Sequence, residues 1–269
     1  MTVNKKKITI LGSSGWIGKS LLNFLKDKNL NIISINRKNI NNWLTEEIED
    51  EEVIYTIGLT ADFRKKPYEP VDAHITLLSK VLRKKGIKSL IYFSSTRVYN
   101  NCPETNEESP LNVSSLNPSD LYNISKLMGE SLVLNDERRD LRVIRLSNVI
   151  GPFQPIDSFL GMLLADIRKN NKTFIKQSPQ VSKDYIHIDD VNRLLYGLIT
   201  NKPKHRIYNI GYGQNISNSE IASWLRKKGA QVYFKKNQDL NLNFKNLDVK
   251  RIYSEYDYSR NPFENRFIS

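Results

Sequence analysis

Apolar residues along this chain follow two alternating patterns. Short apolar runs, mostly rich in β-branched residues, at Lys7–Leu11, Asn31–Ile35, Val53–Gly58, Ile87–Phe93, Leu141–Leu146 and Arg206–Ile210, read as strands. Between them lie segments with helical apolar spacing: Lys19–Lys28 with Leu21, Leu22 and Leu25, and Val71–Lys85 with Ile75, Leu78 and Leu82. Further helices are predicted at Pro118–Leu132, around Phe159–Lys169, after Lys183–Val191 as far as Thr200, and at Ser219–Lys228. Ser119 or Asp120, Asp189 or Asp190, and Asn218 or Ser219 are the expected caps of three of them. Tyr212–Asn218 reads as a turn and Gln231–Lys235 as a last strand. The polar segment Asn39–Glu52 barely holds a further strand with its crossover, and its acidic run Glu46–Glu52 reads as a solvated helix or loop. Strands alternating with helices predict an α/β fold built on a doubly wound parallel sheet.

Composition narrows the class. The chain has 269 residues, 39% hydrophobic and 26% charged, enough for a full core. Its apolar runs are shorter than a membrane span, and the run at Ile8–Leu11 is shorter than a signal-peptide core, so the expected location is cytoplasmic. The lone Cys102 fits a reducing compartment, which leaves the sequons at Asn112, Asn123 and Asn215 idle. The net charge of +12 is spread over short clusters such as Lys5–Lys7 and Arg226–Lys228. That suits a solvated surface or attraction of an anionic ligand. A basic stripe interleaved with aromatics is missing, which argues against nucleic acid as a partner.

The candidate chemistry sits where predicted strands end. Gly12-Ser13-Ser14-Gly15-Trp16-Ile17-Gly18 joins the first strand to a helix, as a turn that lets backbone N–H groups approach a diphosphate. A carboxylate about 20 residues further on would grip the ribose of NAD. Here the second strand runs into Asn36-Arg37-Lys38, and Arg37 suits a 2′-phosphate, which favours NADP(H) over NAD(H). Gly58 and Leu59 end the next buried strand beside the expected cofactor. Ser94-Ser95-Thr96-Arg97 follows the strand at Ile87–Phe93, and the long polar loop Asn100–Asn117 reads as a lid or binding loop. On the helix after it, Tyr122 and Lys126 share one face, a turn apart. An adjacent ammonium is expected to lower the tyrosine's pKa, making the pair a proton-transfer device. His74, His187 and His205 lack metal-ligand spacing, and His74 reads as a helix-packing residue.

Taken in chain order, these motifs resemble the extended short-chain dehydrogenase/reductase family, the NAD-dependent epimerase/dehydratase group. The resemblance rests on Gly12-x-x-Gly15-x-x-Gly18, Ser94-Ser95-x-x-Val98-Tyr99, Tyr122-x-x-x-Lys126, Arg145-x-x-Asn148-x-x-Gly151-Pro152, Asp184-Tyr-Ile-His-Ile-Asp-Asp190 and Tyr208-Asn-Ile-Gly211, and covers nearly the whole chain. It implies a Rossmann-type sheet in residues 1–146 and a small C-terminal substrate lobe in 147–269, with parts of 184–211 returning to the sheet. It implies Ser95 as the catalytic hydroxyl, Tyr122 as the acid–base group and Lys126 as the holder of the nicotinamide ribose. The cofactor residues are Gly12, Ser14, Gly15, Trp16, Ile17, Gly18, Arg37, Gly58, Leu59, Tyr122 and Lys126. Thr96, Asn148, Lys183 and Arg251 fall to a nucleotide-sugar substrate. A homodimer through the Val71–Lys85 and Ser119–Arg138 helices is implied too.

The departures from the family select among its reactions. Its sugar dehydratases place Asp-Glu directly after the catalytic hydroxyl, whereas Thr96-Arg97 stands here. Its epimerases hold NAD and usually carry the strand-two carboxylate. The expectation is therefore an NADPH-dependent reductase of a nucleotide-linked 4-ketosugar, with a 4-epimerase holding NAD as the alternative. A non-catalytic cofactor-binding or RNA-binding relative is the third reading, motivated by the charge.

Overall fold

A computed structural model describes residues 5–59, 65–235 and 244–256. The described residues divide into two compact units. One holds those up to Val98 with Val113–Leu146 and Asn192–Tyr208, and the other holds Tyr99–Asn112, Ser147–Val191 and those from Asn209 on. The boundary passes inside a helix, α7 (Ile188–Thr200), and a strand, β9 (Ile207–Ile210).

The first unit is organised by a six-stranded sheet of order β2-β1-β3-β4-β5-β9. Its strands are β1 (Lys7–Leu11), β2 (Asn31–Ile35), β3 (Glu51–Tyr55), β4 (Ile87–Ser95), β5 (Leu141–Leu146) and β9. The pairings of β1 with β2 and β3, of β3 with β4, and of β4 with β5 are all parallel. Burial on both faces explains the near-continuous apolar runs, as in Val143, Ile144 and Leu146 of β5. The chain steps outward from β1 to β2 through α1 (Trp16–Leu25), then returns to β3 on the other side of β1. This reversal is a switch point, and strand ends around it open toward ligands in folds of this type.

The segment before β3 corrects two expectations. Its crossover is the short helix α2 (Ile40–Thr45), and it holds no further strand, because β3 pairs directly with β1. Nor is the acidic run wholly solvated. Glu51 opens β3 at 4% exposure, where its carboxylate accepts from Thr9 Oγ1 at 2.6 Å and Trp43 Nε1 at 3.3 Å. A buried carboxylate needs such donors.

The helical stretch before β4 consists of α3 (Tyr68–Val71), a π-helical turn at Asp72–Thr76 and α4 (Leu77–Arg83). It packs against α5 (Asp120–Leu134). Ser119 stands at the N-cap of α5 without a capping side-chain bond, and Asp120 accepts from Asn123 Nδ2 and the Ser114 N–H instead. At the other end Arg206 donates to the carbonyls of Val133, Leu134 and Leu141, satisfying acceptors that a helix terminus leaves open.

The second unit carries a three-stranded sheet of order β10-β8-β6 and a parallel pair, β11 with β7. These strands are β6 (Asn148–Ile150), β7 (Lys172–Ile175), β8 (Ser182–His187), β10 (Asn215–Ser217) and β11 (Gln231–Phe234). With α6 (Phe159–Asn170) and α8 (Asn218–Lys227) they enclose a core of Ile150, Leu163, Ile175, Tyr185, Ile221 and Leu225, among others. A last helix, α9, spans Lys250–Glu255. The cap of α8 is Ser217, which forms a capping box with Glu220, rather than Asn218 or Ser219. Asp189 and Asp190 lie within the first turn of α7, where carboxylates suit the helix dipole, rather than at its cap.

Candidate active site

Three strand ends of the first unit and the helix α5 build the site. After β1 the backbone turns at Gly12, whose φ of +89° is open to glycine at little cost. The turn is closed by Gly12 N and Ser13 N donating to Ile35 O at 2.9 and 3.1 Å, and by Gly15 N donating to Gly12 O at 2.9 Å. A Cβ on Gly18 would lie 2.4 Å from Gly12 O, so only glycine lets α1 start this close to the turn. The N-cap of α1 is Gly15, which has no side chain to cap the helix, and the first turn has no acidic residue. Ser14 and Gly15 are exposed, Trp16 and Ile17 half-buried. Bare backbone at a helix N-terminus suits a diphosphate, so these residues fit a dinucleotide cofactor. Gly18→Ala is expected to destabilise the chain by about 1–3 kcal/mol. It should also weaken nicotinamide-nucleotide binding, with urea titration and fluorescence titration as the measurements.

Arg37 lies just past β2, exposed, in a turn fixed by Asn36 and Asn39. Gly58 is exposed and Leu59 half-buried, both beyond the end of β3. Thr60, which follows them, is outside the described residues.

Ser95 is the last residue of β4, and Thr96 begins the 3₁₀ turn after it. The Arg97 N–H donates to Ser95 Oγ at 3.2 Å. The Ser95 side chain lies close enough to the Tyr122 phenol to pull its pKa down, so the two approach each other across β4 and α5. Lys126, 3% exposed, donates to Phe93 O at 2.8 Å, and its ammonium sits over the rings of Tyr92 and Tyr122 at 5.2 and 5.9 Å. Ser95, Tyr122 and Lys126 therefore come together within one unit.

The electrostatics differ from the expectation drawn from spacing. Burial pushes the Tyr122 pKa above the ordinary phenol value; the Ser95 side chain and the nearby Arg97 cation pull the other way without prevailing. A nearby charge that lowers the phenol is that of Arg97. Lys126 is itself lowered by burial to about 7, against the opposing pull of Glu130. At neutral pH the site holds a protonated phenol beside a lysine near its midpoint.

His74, read from the sequence as a helix-packing residue, packs against α5 beside Tyr122. It sits on the π-helical turn, fully buried, with Nδ1 2.9 Å from Ser125 Oγ and its ring edge-on to Tyr122 at 5.4 Å. Glu130 on α5 forms a buried pair with Arg145 of β5 and accepts from Ser94 Oγ.

Asn148, Lys183 and Arg251 belong to the second unit. The Asn148 amide donates to Asp184 O at 2.9 Å, Lys183 lies over the Phe159 ring at 5.7 Å, and Arg251 is paired with Glu107 and Glu108. Other motif residues of that unit have structural work. The Asp184 carboxylate, raised by burial to about 6, accepts from Ser147 Oγ and from the N–H groups of Tyr212 and Gly213. Asn209 joins Tyr99 Oη, Thr105 O, Asp248 O and Glu107.

Comparison with known proteins gives the family and the fold. The family model described as "NAD dependent epimerase/dehydratase family" matches residues 8–211. A dTDP-glucose 4,6-dehydratase of Streptomyces griseus is 28% identical over 56% of this chain, and the match spans 45% of that protein's length. A UDP-glucose 4-epimerase of Mycoplasma genitalium is 22% identical, with 83% of this chain and 81% of that protein covered. Among solved structures, MoeE5 in complex with UDP-glucose and NAD superposes with a TM-score of 0.82 at 20% identity, covering 97% of this chain and 96% of that one. Among the described residues, no helix is long and apolar enough to cross a membrane.

Proposed function

We propose that this chain, which belongs to the NAD dependent epimerase/dehydratase family, is an NADPH-dependent reductase of a nucleotide-linked 4-ketosugar. The observation that carries the reading is the Tyr122 phenol, set beside Ser95 and Lys126 and raised by burial above the ordinary phenol value. A protonated phenol can give its proton at once to a carbonyl oxygen gaining negative charge. Ser95 would hold that oxygen by hydrogen bond, and Lys126 would hold a ribose hydroxyl of the cofactor. The bound nicotinamide supplies the hydride; the protein supplies orientation and field. The exposed cation of Arg37 past β2 supports NADPH over NADH. Asn148, Lys183 and Arg251 are the residues proposed to hold the substrate's nucleotide and diphosphate. A homodimer through α4 and α5 belongs to the same reading.

The test is NADPH oxidation against a panel of 4-keto nucleotide sugars. The expected result is turnover with NADPH that exceeds turnover with NADH, and Arg37→Ala should narrow that gap. A protein that binds neither NADPH nor NADP overturns the proposal. A 4-epimerase is the second reading, supported by the coverage of the Mycoplasma genitalium relative. It prevails if the purified protein retains NAD and interconverts nucleotide sugars with no cofactor added.

A further inference from the structure

His74 carries a nitrogen that no described contact accounts for. Ser125 Oγ donates its one proton to Tyr122 O at 2.8 Å. That bond leaves it lone pairs for His74 Nδ1, 2.9 Å away, an arrangement in which Nδ1 is the donor. A neutral imidazole with its proton on Nδ1 presents Nε2 as a bare acceptor. The ring is neutral, because burial first and the Lys126 charge second lower its pKa to about 2. Nε2 is fully buried and has no hydrogen-bond partner among the described residues. Leaving such a buried acceptor unpaired is unfavourable, because its lost hydration is not replaced.

The surroundings say what would fill it. A Cβ placed on Gly58 would lie 3.5 Å from His74 Nε2 and 3.5 Å from Lys126 Nζ, so both nitrogens face one spot beside bare backbone. One is an acceptor and the other, when charged, a donor. A ligand hydroxyl satisfies both, accepting from an ammonium and donating to an imidazole. The π-helical turn at Asp72–Thr76 holds His74 at this spot, and such bulges recur at functional sites.

We propose that His74 Nε2 accepts a hydrogen bond from a hydroxyl held at Lys126, and that His74 is thereby a cofactor-positioning residue. The inference rests on the proposed function, in which that hydroxyl is one of the nicotinamide ribose. His74→Phe keeps a ring against Tyr122 and leaves the Ser125 bond to Tyr122 O in place. It is expected to weaken NADP binding about tenfold, the scale of one buried hydrogen bond. The loss should vanish with a nucleotide analogue whose nicotinamide ribose lacks hydroxyls. The unsubstituted protein provides an independent readout: adding NADP should move the His74 Nε2 nitrogen resonance from that of a bare acceptor toward that of a hydrogen-bonded one. Equal binding of NADP by His74→Phe overturns the proposal. So does an equal loss for NADP and its deoxy analogue, which would mark the ring as structural, and so does an unmoved resonance. If the unsubstituted protein takes up no nicotinamide nucleotide, the proposed function fails first and this inference falls with it.

Discussion

Tyr122→Phe is expected to lower kcat for ketone reduction by about 10²–10⁴-fold, the range of a positioned acid–base group. The urea midpoint should stay close to that of the unsubstituted protein. The substitution removes only the phenol oxygen, which lies beside the Ser95 side chain. The pH profile separates proton donation from proton abstraction. Tyr122 is raised above the ordinary phenol value, so it stays protonated across the neutral range. Lys126 titrates near 7, because burial disfavours its ammonium. Its charge is present below that pH and lost above it. In the free enzyme, kcat/KM for reduction should therefore be level below pH about 7 and decline above it. A profile that climbs from pH 7 to 9 would indicate a phenolate base and an oxidative first step, as an epimerase requires.

The frame of this site was legible in the sequence, while its electrostatics were not. β1 and β5 fall where their β-branched runs placed them, because strands buried on both faces leave an unambiguous apolar signature, and the more exposed edge strand β2 was read from Ile32, Ile33 and Ile35. The glycine turn was readable because Gly12 and Gly18 answer local steric demands. Ser95, Tyr122 and Lys126 could be named from their places at a strand end and on one helix face. What spacing could not supply was burial. Tyr122 and Lys126 read as a pair in which the lysine depresses the phenol, but enclosure raises the phenol and depresses the lysine. His74 looked like any helix residue until α5 brought Ser125 and Tyr122 against it. The same holds for Glu51, whose acidic neighbours suggested solvent although Thr9 and Trp43 enclose it. The strands β6 and β10 escaped the pattern because three residues cannot establish a period. Ser217 was missed as a cap because its hydroxyl competes with two polar neighbours, and only the Glu220 reciprocal bond selects it.

The largest stability effect should come from Arg145→Leu, at about 3–5 kcal/mol, the range for breaking a buried ion pair. Arg145 and Glu130 have side chains 5% and 4% exposed. Arg145 Nε donates to Glu130 Oε1 and Oε2 at 3.1 and 3.2 Å, and Nη2 donates to Oε2 at 2.7 Å. Without the guanidinium, Glu130 keeps only the Ser94 hydroxyl and the more distant Lys126 charge as described compensation. A carboxylate so enclosed must take up a proton or remain charged at high cost. The pair also ties together the elements that carry the chemistry. Ser94 precedes Ser95 on β4, Glu130 lies one turn beyond Lys126 on α5, and Arg145 is on β5. Losing it should therefore reduce turnover as well as lower the urea midpoint at an unchanged m-value. Glu130→Leu combined with Arg145→Leu removes both charges, leaving Ser94 Oγ without its acceptor but no carboxylate uncompensated. That double variant is expected to be more stable than Arg145→Leu alone. If the double variant is the less stable of the two, the unpaired carboxylate is not the source of the loss, and the side-chain packing of Glu130 and Arg145 is.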